Sequence, residues 1–154
     1  MLHVEPARTP GFITSPRVEE FVLFLEATGG APPDACHLVF KKAGELYNKA
    51  RAAGYALSAR LGNAVLWLPS RHFVVNEETF RWQYALGWFF ARLVEAGGRA
   101  EDGTAVFPNG KKLRLSVRAK GEEVLAAGEN GEKYAWAVIE LKKMKIGECV
   151  RKIA

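Results

Sequence analysis

Three histidines and two cysteines are the residues best suited to nucleophilic or metal chemistry, and their spacing argues against both. His3, His37 and His72 lie far apart, Cys36 and Cys149 form no CxxC, and no HxxxH occurs. A metal site needs several ligands at workable spacing. Cys36 and His37 are adjacent, but neighbours on a helix point about 100° apart, which does not suit a Cys–His nucleophile pair. Their expected roles are a core thiol and a surface imidazole. No GxGxxG, P-loop or GxSxG motif is present. The pairs Glu77-Glu78 and Glu101-Asp102 suit a helix start and a turn. A metal-dependent nuclease would need convergent carboxylates, and no spacing provides them. The expectation is a binding protein without a cofactor, not an enzyme.

Basic and aromatic residues carry more information. Residues 112–120 read Lys-Leu-Arg-Leu-Ser-Val-Arg-Ala-Lys. As a strand they put Leu113, Leu115, Val117 and Ala119 on one face and Lys112, Arg114, Ser116, Arg118 and Lys120 on the other. Like charges two apart repel, so a strand serving solubility alone would mix signs. Residues 133–141 alternate as well. If their small and aliphatic set packs inward, Tyr134 and Trp136 emerge beside the cations. Bases stack on aromatic faces at about 1–3 kcal/mol each while cations follow the phosphates, which is how single strands are bound without sequence preference. The opposite assignment, with Tyr134 and Trp136 in the core, serves a two-layer domain equally well. Arg71 and Phe73 share a loop, Trp67 lies in an aliphatic strand, Arg60 ends its hairpin partner, and Trp88 falls on the polar side of a helix. Phosphate contacts are therefore expected from Lys112, Arg114, Arg118, Lys120, Arg60 and Arg71. Stacking is expected from Trp136, Tyr134, Trp67 and Phe73.

The charge balance agrees. The chain has 154 residues and a formal charge of +5. The first 110 residues are balanced, so the whole excess lies in the last 44. Localised positive charge attracts polyanions more than the net figure suggests. With 49% hydrophobic and 25% charged residues, a folded domain is expected, not a disordered chain. The length suits one domain. No apolar run approaches the roughly 20 residues of a membrane span, and the N-terminus lacks a signal-peptide pattern. These features indicate a cytoplasmic protein with reduced thiols. One Gln, five Asn and four Ser among many charged residues suit a thermophile.

Residues 1–14 read as an arm, 15–141 as one α+β domain, and 142–154 as a basic tail. Ser15 and Pro16 start a first helix that stops at Gly29-Gly30. Apolar spacing predicts a second helix from Pro33 to Gly54. Residues 55–60 and 64–68 form a hairpin. Asn76 caps a long third helix, with Phe80, Trp82, Tyr84, Phe89 and Phe90 toward the core. A β-meander follows over 104–107, 112–120, 123–127 and 133–141. The fold class is α+β, three main helices packed on a mostly antiparallel sheet in the order αα-ββ-α-β meander, and not an OB fold.

The stretches Arg17-Val-Glu-Glu-Phe-Val, Ala31-Pro-Pro-Asp-Ala-Cys, Trp67-Leu-Pro-Ser-Arg-His-Phe and Asn76-Glu-Glu-Thr-Phe-Arg-Trp-Gln-Tyr-Ala-Leu-Gly-Trp resemble the ThermoDBP family. These are the single-stranded DNA-binding proteins of the Thermoproteales. The resemblance covers the chain to about Leu141. It implies a compact α+β core, a cleft with an apolar floor and basic flanks for single-stranded DNA, and a homodimer through a C-terminal zipper helix. Ile146, Val150 and Ile153 are spaced like the start of such a stripe, which Ala154 cuts short, so dimerisation is expected only of a longer chain. RNA remains open as a ligand, because contacts to the 2′-hydroxyl do not show in composition. The competing expectation is a protein-interaction module using the first helix or the C-terminal stripe.

Overall fold

Local signals place the first helix where the sequence puts it. In the computed structural model, which describes residues 1–13 and 15–144, helix α1 spans Pro16–Thr28. Pro16 sits in the first turn, where a missing N–H costs nothing. Ser15 holds the extended cap conformation without a side-chain hydrogen bond. Gly29 closes the helix at φ 86°, a left-handed conformation that suits glycine. The predicted second helix is two. Helix α2 covers Pro33–Val39 and α3 covers Ala43–Ala52. Between them Phe40 is extended and Lys42 is left-handed at φ 54°. The break lets the Phe40 ring meet Phe21 and Phe24 edge-on at 5.4 and 5.5 Å. Aromatic packing outweighs the periodicity that would have continued the helix.

Residues 1–13 are more than an arm. Leu2–Val4 forms strand β1, antiparallel to β2 (Ala56–Leu61), which pairs in turn with β3 (Ala64–Pro69). The β2–β3 turn is Gly62-Asn63, with Leu61 opposite Ala64. The segment after β1 is tied down: the Gly11 N–H donates to the Ala53 carbonyl and the Tyr55 hydroxyl to the Gly11 carbonyl, both at 2.7 Å. Glu5 accepts hydrogen bonds from Arg51, from the Ser58 amide and hydroxyl, and from the Tyr47 hydroxyl.

Hydrogen bonds from the Arg51 guanidinium, opposed by partial burial and helped by Ser58, lower the Glu5 carboxyl from 4.5 to about 2. A depressed folded-state value stabilises the fold fully above pH 4.5, and the gain is lost as pH falls from there through about 2. Both side chains are about a third exposed, so water screens the effect to a modest size. The Ser58 amide donates to Glu5 at 2.8 Å. Its proton resonance should therefore titrate with a midpoint near 2; a midpoint at the ordinary carboxylate value would show that Glu5 does not hold β1 in this way.

Helix α4, Glu77–Glu95, starts on a reciprocal cap: the Thr79 amide donates to the Asn76 side chain, and the Asn76 amide to the Thr79 hydroxyl. A five-stranded antiparallel meander follows in the order β4 (Arg99–Glu101), β5 (Thr104–Val106), β6 (Lys112–Arg118), β7 (Glu123–Ala127) and β8 (Lys133–Ala137). The predicted last strand stops at Ala137, where the chain turns into helix α5, Val138–Lys143. The described residues thus make an α+β fold with five α-helices and two antiparallel sheets. One core packs α1–α4 against the inner face of the meander, and a smaller one lies between α4 and the β1–β3 sheet.

Candidate nucleic-acid interface

Strand β6 alternates as expected. Leu113 and Val117 are buried, while Lys112, Arg114, Ser116 and Arg118 are exposed. Register then decides the aromatic residues. Val117 pairs with Val124 and Val124 with Trp136, so all three point into the core. Trp136 is fully buried, 4.8 Å from Phe89, and half-buried Tyr134 lies beside it at 6.1 Å. The β8 residues sharing the cationic face are Lys133, Ala135 and Ala137. The expected placement of Trp136 and Tyr134 among the β6 cations is therefore incorrect, because both rings stand on the inner face of the sheet; Tyr134 meets Lys111 instead, whose ammonium lies 5.7 Å from its ring.

Trp67 is also buried. It stacks on Tyr47 at 4.4 Å and 6° and meets Phe21 edge-on at 5.9 Å, so no base can reach it. Trp88, read on the polar side of its helix, is buried under α5 with the Lys142 ammonium 6.0 Å from its ring. Arg60 is exposed, but adjacent Leu61 faces the core between α4 and the β1–β3 sheet, so Arg60 stands on the other side. Arg71 and Phe73 are exposed in the loop before α4, Phe73 at 87%. In that loop His72 accepts the Val74 amide at Nδ1, and burial lowers its pKa, so it adds no positive charge.

Lys120 leaves the strand. Ala119, Lys120 and Gly121 form one left-handed turn, with φ 55°, 56° and 88°. Non-glycine residues pay about 1–2 kcal/mol each for this conformation. Gly121 packs so closely on α4 that an added Cβ would lie 2.8 Å from the Arg81 carbonyl. The turn sets Lys120 between two depressions. One, about 470 Å³, is lined by Arg81, Trp82, Arg118 and Lys120 among others. The other, about 630 Å³, has Leu61, Ala64, Phe80, Tyr84, Val138 and Ile139 along it and shares Arg81, Ala119 and Lys120 with the first. Lys142 lies over the Tyr84 ring at 5.0 Å.

Sequence reasoning missed Trp82, placing it in the core; it is 43% exposed. A signal existed. Trp82 follows Glu78 by four residues, about 40° round the helix, and so belongs beside the charged side. The cations beside it differ in how they are paired. Arg81 pairs loosely with Glu77 at 3.6 Å, an exposed pair of small net worth, whereas Arg118 grips half-buried Glu123 at two points, 2.8 and 2.9 Å. Arg118 also holds the Glu123 carboxyl below its ordinary value. Lys120 has no carboxylate partner among the described residues. The structure thus brings Arg118 and Lys120 together with an unforeseen ring, keeps Lys112 and Arg114 on the adjoining sheet face, and leaves Arg60 and Arg71 elsewhere.

Cys36 is buried and its thiol is pushed up by that burial, whereas His37 is exposed. Cys149 and the apolar stripe Ile146, Val150 and Ile153, with the homodimer expected of it, lie outside the described residues. Among the described residues, no group of three or more His, Cys, Asp and Glu could hold a metal ion, and no helix is long and apolar enough to cross a membrane. No protein-family model, curated protein or solved structure matches the chain.

Proposed function

We propose that this chain binds single-stranded DNA without reading its sequence, as a binding protein rather than an enzyme, protecting exposed strands in the cytoplasm during replication and repair. The observation that carries the reading is Trp82, an exposed indole with Arg81, Arg118 and Lys120 around it against the single carboxylate of Glu78. A base stacks on the indole while the three cations take the phosphates. The backbone then passes Lys120 into the neighbouring groove, whose apolar floor fits the cleft implied by the ThermoDBP resemblance and whose edge carries Arg81 and Lys120 beside Glu122 and Glu123. Two separate sheets, one a simple meander, support a platform other than the Greek-key barrel of an OB fold.

The test is a fluorescence titration with an oligo-dT of about 20 nucleotides at several salt concentrations. Affinity should fall with salt at a slope of about 0.7 per phosphate neutralised. Trp82→Ala should weaken binding roughly ten- to a hundredfold, the worth of about one stacked base, with thermal unfolding unchanged. Lys120→Glu should weaken it further and flatten the salt slope. Saturable binding that is untouched by both substitutions would place the strand elsewhere. Absence of binding at low salt would sink the reading.

A further inference from the structure

A second depression, about 760 Å³, lies between α1, the α2–α3 bend and β4. Leu23 stands at its edge, 55% exposed, with Phe24 and Phe40 below. Its rim bears Arg17, Lys41, Lys42 and Arg99 against the single carboxylate of Glu20. Arg17 is fixed by donating to the Lys41 carbonyl at 2.8 Å, and Arg99 pairs with Glu101 at 3.0 Å. Lys41 and Lys42 have no carboxylate partner among the described residues. An aliphatic contact flanked by two lysines without carboxylate partners among the described residues asks for an occupant with both apolar and acidic groups.

We propose that this groove docks an acidic peptide segment of a partner protein, with leucine- or phenylalanine-type side chains against Leu23 and carboxylates against Lys41, Lys42 and Arg99. Nucleic acid fits less well. The Phe24 and Phe40 rings are committed edge-on to one another, and the freely exposed apolar group is aliphatic, so no ring face is presented for a base. Val94, which lines this groove, lies twelve residues beyond Trp82 on α4, about 18 Å along the axis. A peptide here leaves Trp82 free, and the inference does not depend on DNA binding.

The test is selection of random peptides of about a dozen residues, displayed on phage, against the full chain, with Leu23→Asp and Lys41→Glu as counter-targets. Both residues are exposed, and unchanged thermal unfolding would confirm that the variants fold. Recovered peptides should combine Asp or Glu with Leu, Ile or Phe. The best of them, synthesised and labelled, should bind about tenfold or more weakly to each variant and lose affinity with salt, while oligo-dT binding stays the same in both variants. No enrichment, enrichment of basic or neutral peptides, or binding insensitive to Leu23→Asp would overturn the proposal. A matching loss of oligo-dT affinity in these variants would make the occupant nucleic acid and overturn it equally.

Discussion

Trp136→Ala is expected to cost about 3–5 kcal/mol of stability, the usual loss when a buried tryptophan is truncated. The ring is fully buried against Phe89 and Tyr134 and lies in line with Val124 and Val117 across the sheet. Removing it leaves a cavity where the meander meets α4, and the packed surroundings cannot close it without shifting both layers. For a chain of this size the melting temperature should fall by roughly 10 °C or more, read by far-ultraviolet circular dichroism. Trp136→Phe should cost much less. It keeps a ring in the core and removes an indole N–H that finds no acceptor among the described residues. Trp82→Ala is the control, since its ring is half in solvent. If Trp136→Ala left stability intact while weakening DNA binding, the ring would belong on the outer face after all.

Arg92→Ala should be as damaging, for a different reason. Arg92 is 7% exposed and makes three contacts at once. Its guanidinium donates to the Leu141 carbonyl at 2.6 Å, to the Lys142 carbonyl at 3.0 Å and to the Glu95 carboxylate at 3.0 Å. Helix α5 has six residues, far fewer than a helix needs to persist alone. Its terminal carbonyls have no partner within the helix, and Arg92 supplies one. Alanine would orphan both carbonyls and leave Glu95 buried and unpaired, at about 3–5 kcal/mol. Urea unfolding measures the loss. Because α5 covers Trp88, the emission of that tryptophan should move to longer wavelength in the folded variant. The double variant Arg92→Ala/Glu95→Ala should recover part of the loss, since it removes the stranded charge. Equal losses in the single and double variants would show that Glu95 is not held by Arg92.

What the amino-acid order determined by itself is local. Ser15-Pro16 and Gly29 bound α1, Asn76 with Thr79 starts α4, Gly62-Asn63 makes the hairpin, and the alternation of β6 separates its cations from its aliphatic residues. Each of these depends on φ preferences or on hydrogen bonds within a few residues, so no distant partner is needed. Tertiary structure decided the rest. Periodicity sorts side chains onto faces but does not say which face another layer will cover. The polar side of α4 became buried at Trp88 and Arg92 because α5 docks there, and Trp136 went inward because Val117 and Val124 set its register. The helix break at Lys42 came from the Phe21–Phe24–Phe40 cluster, and β1 from a pairing across more than fifty residues. The candidate site has the same origin. Trp82 and Lys120 belong to distant segments, and they meet only because a left-handed turn packs its glycine against the backbone of Arg81.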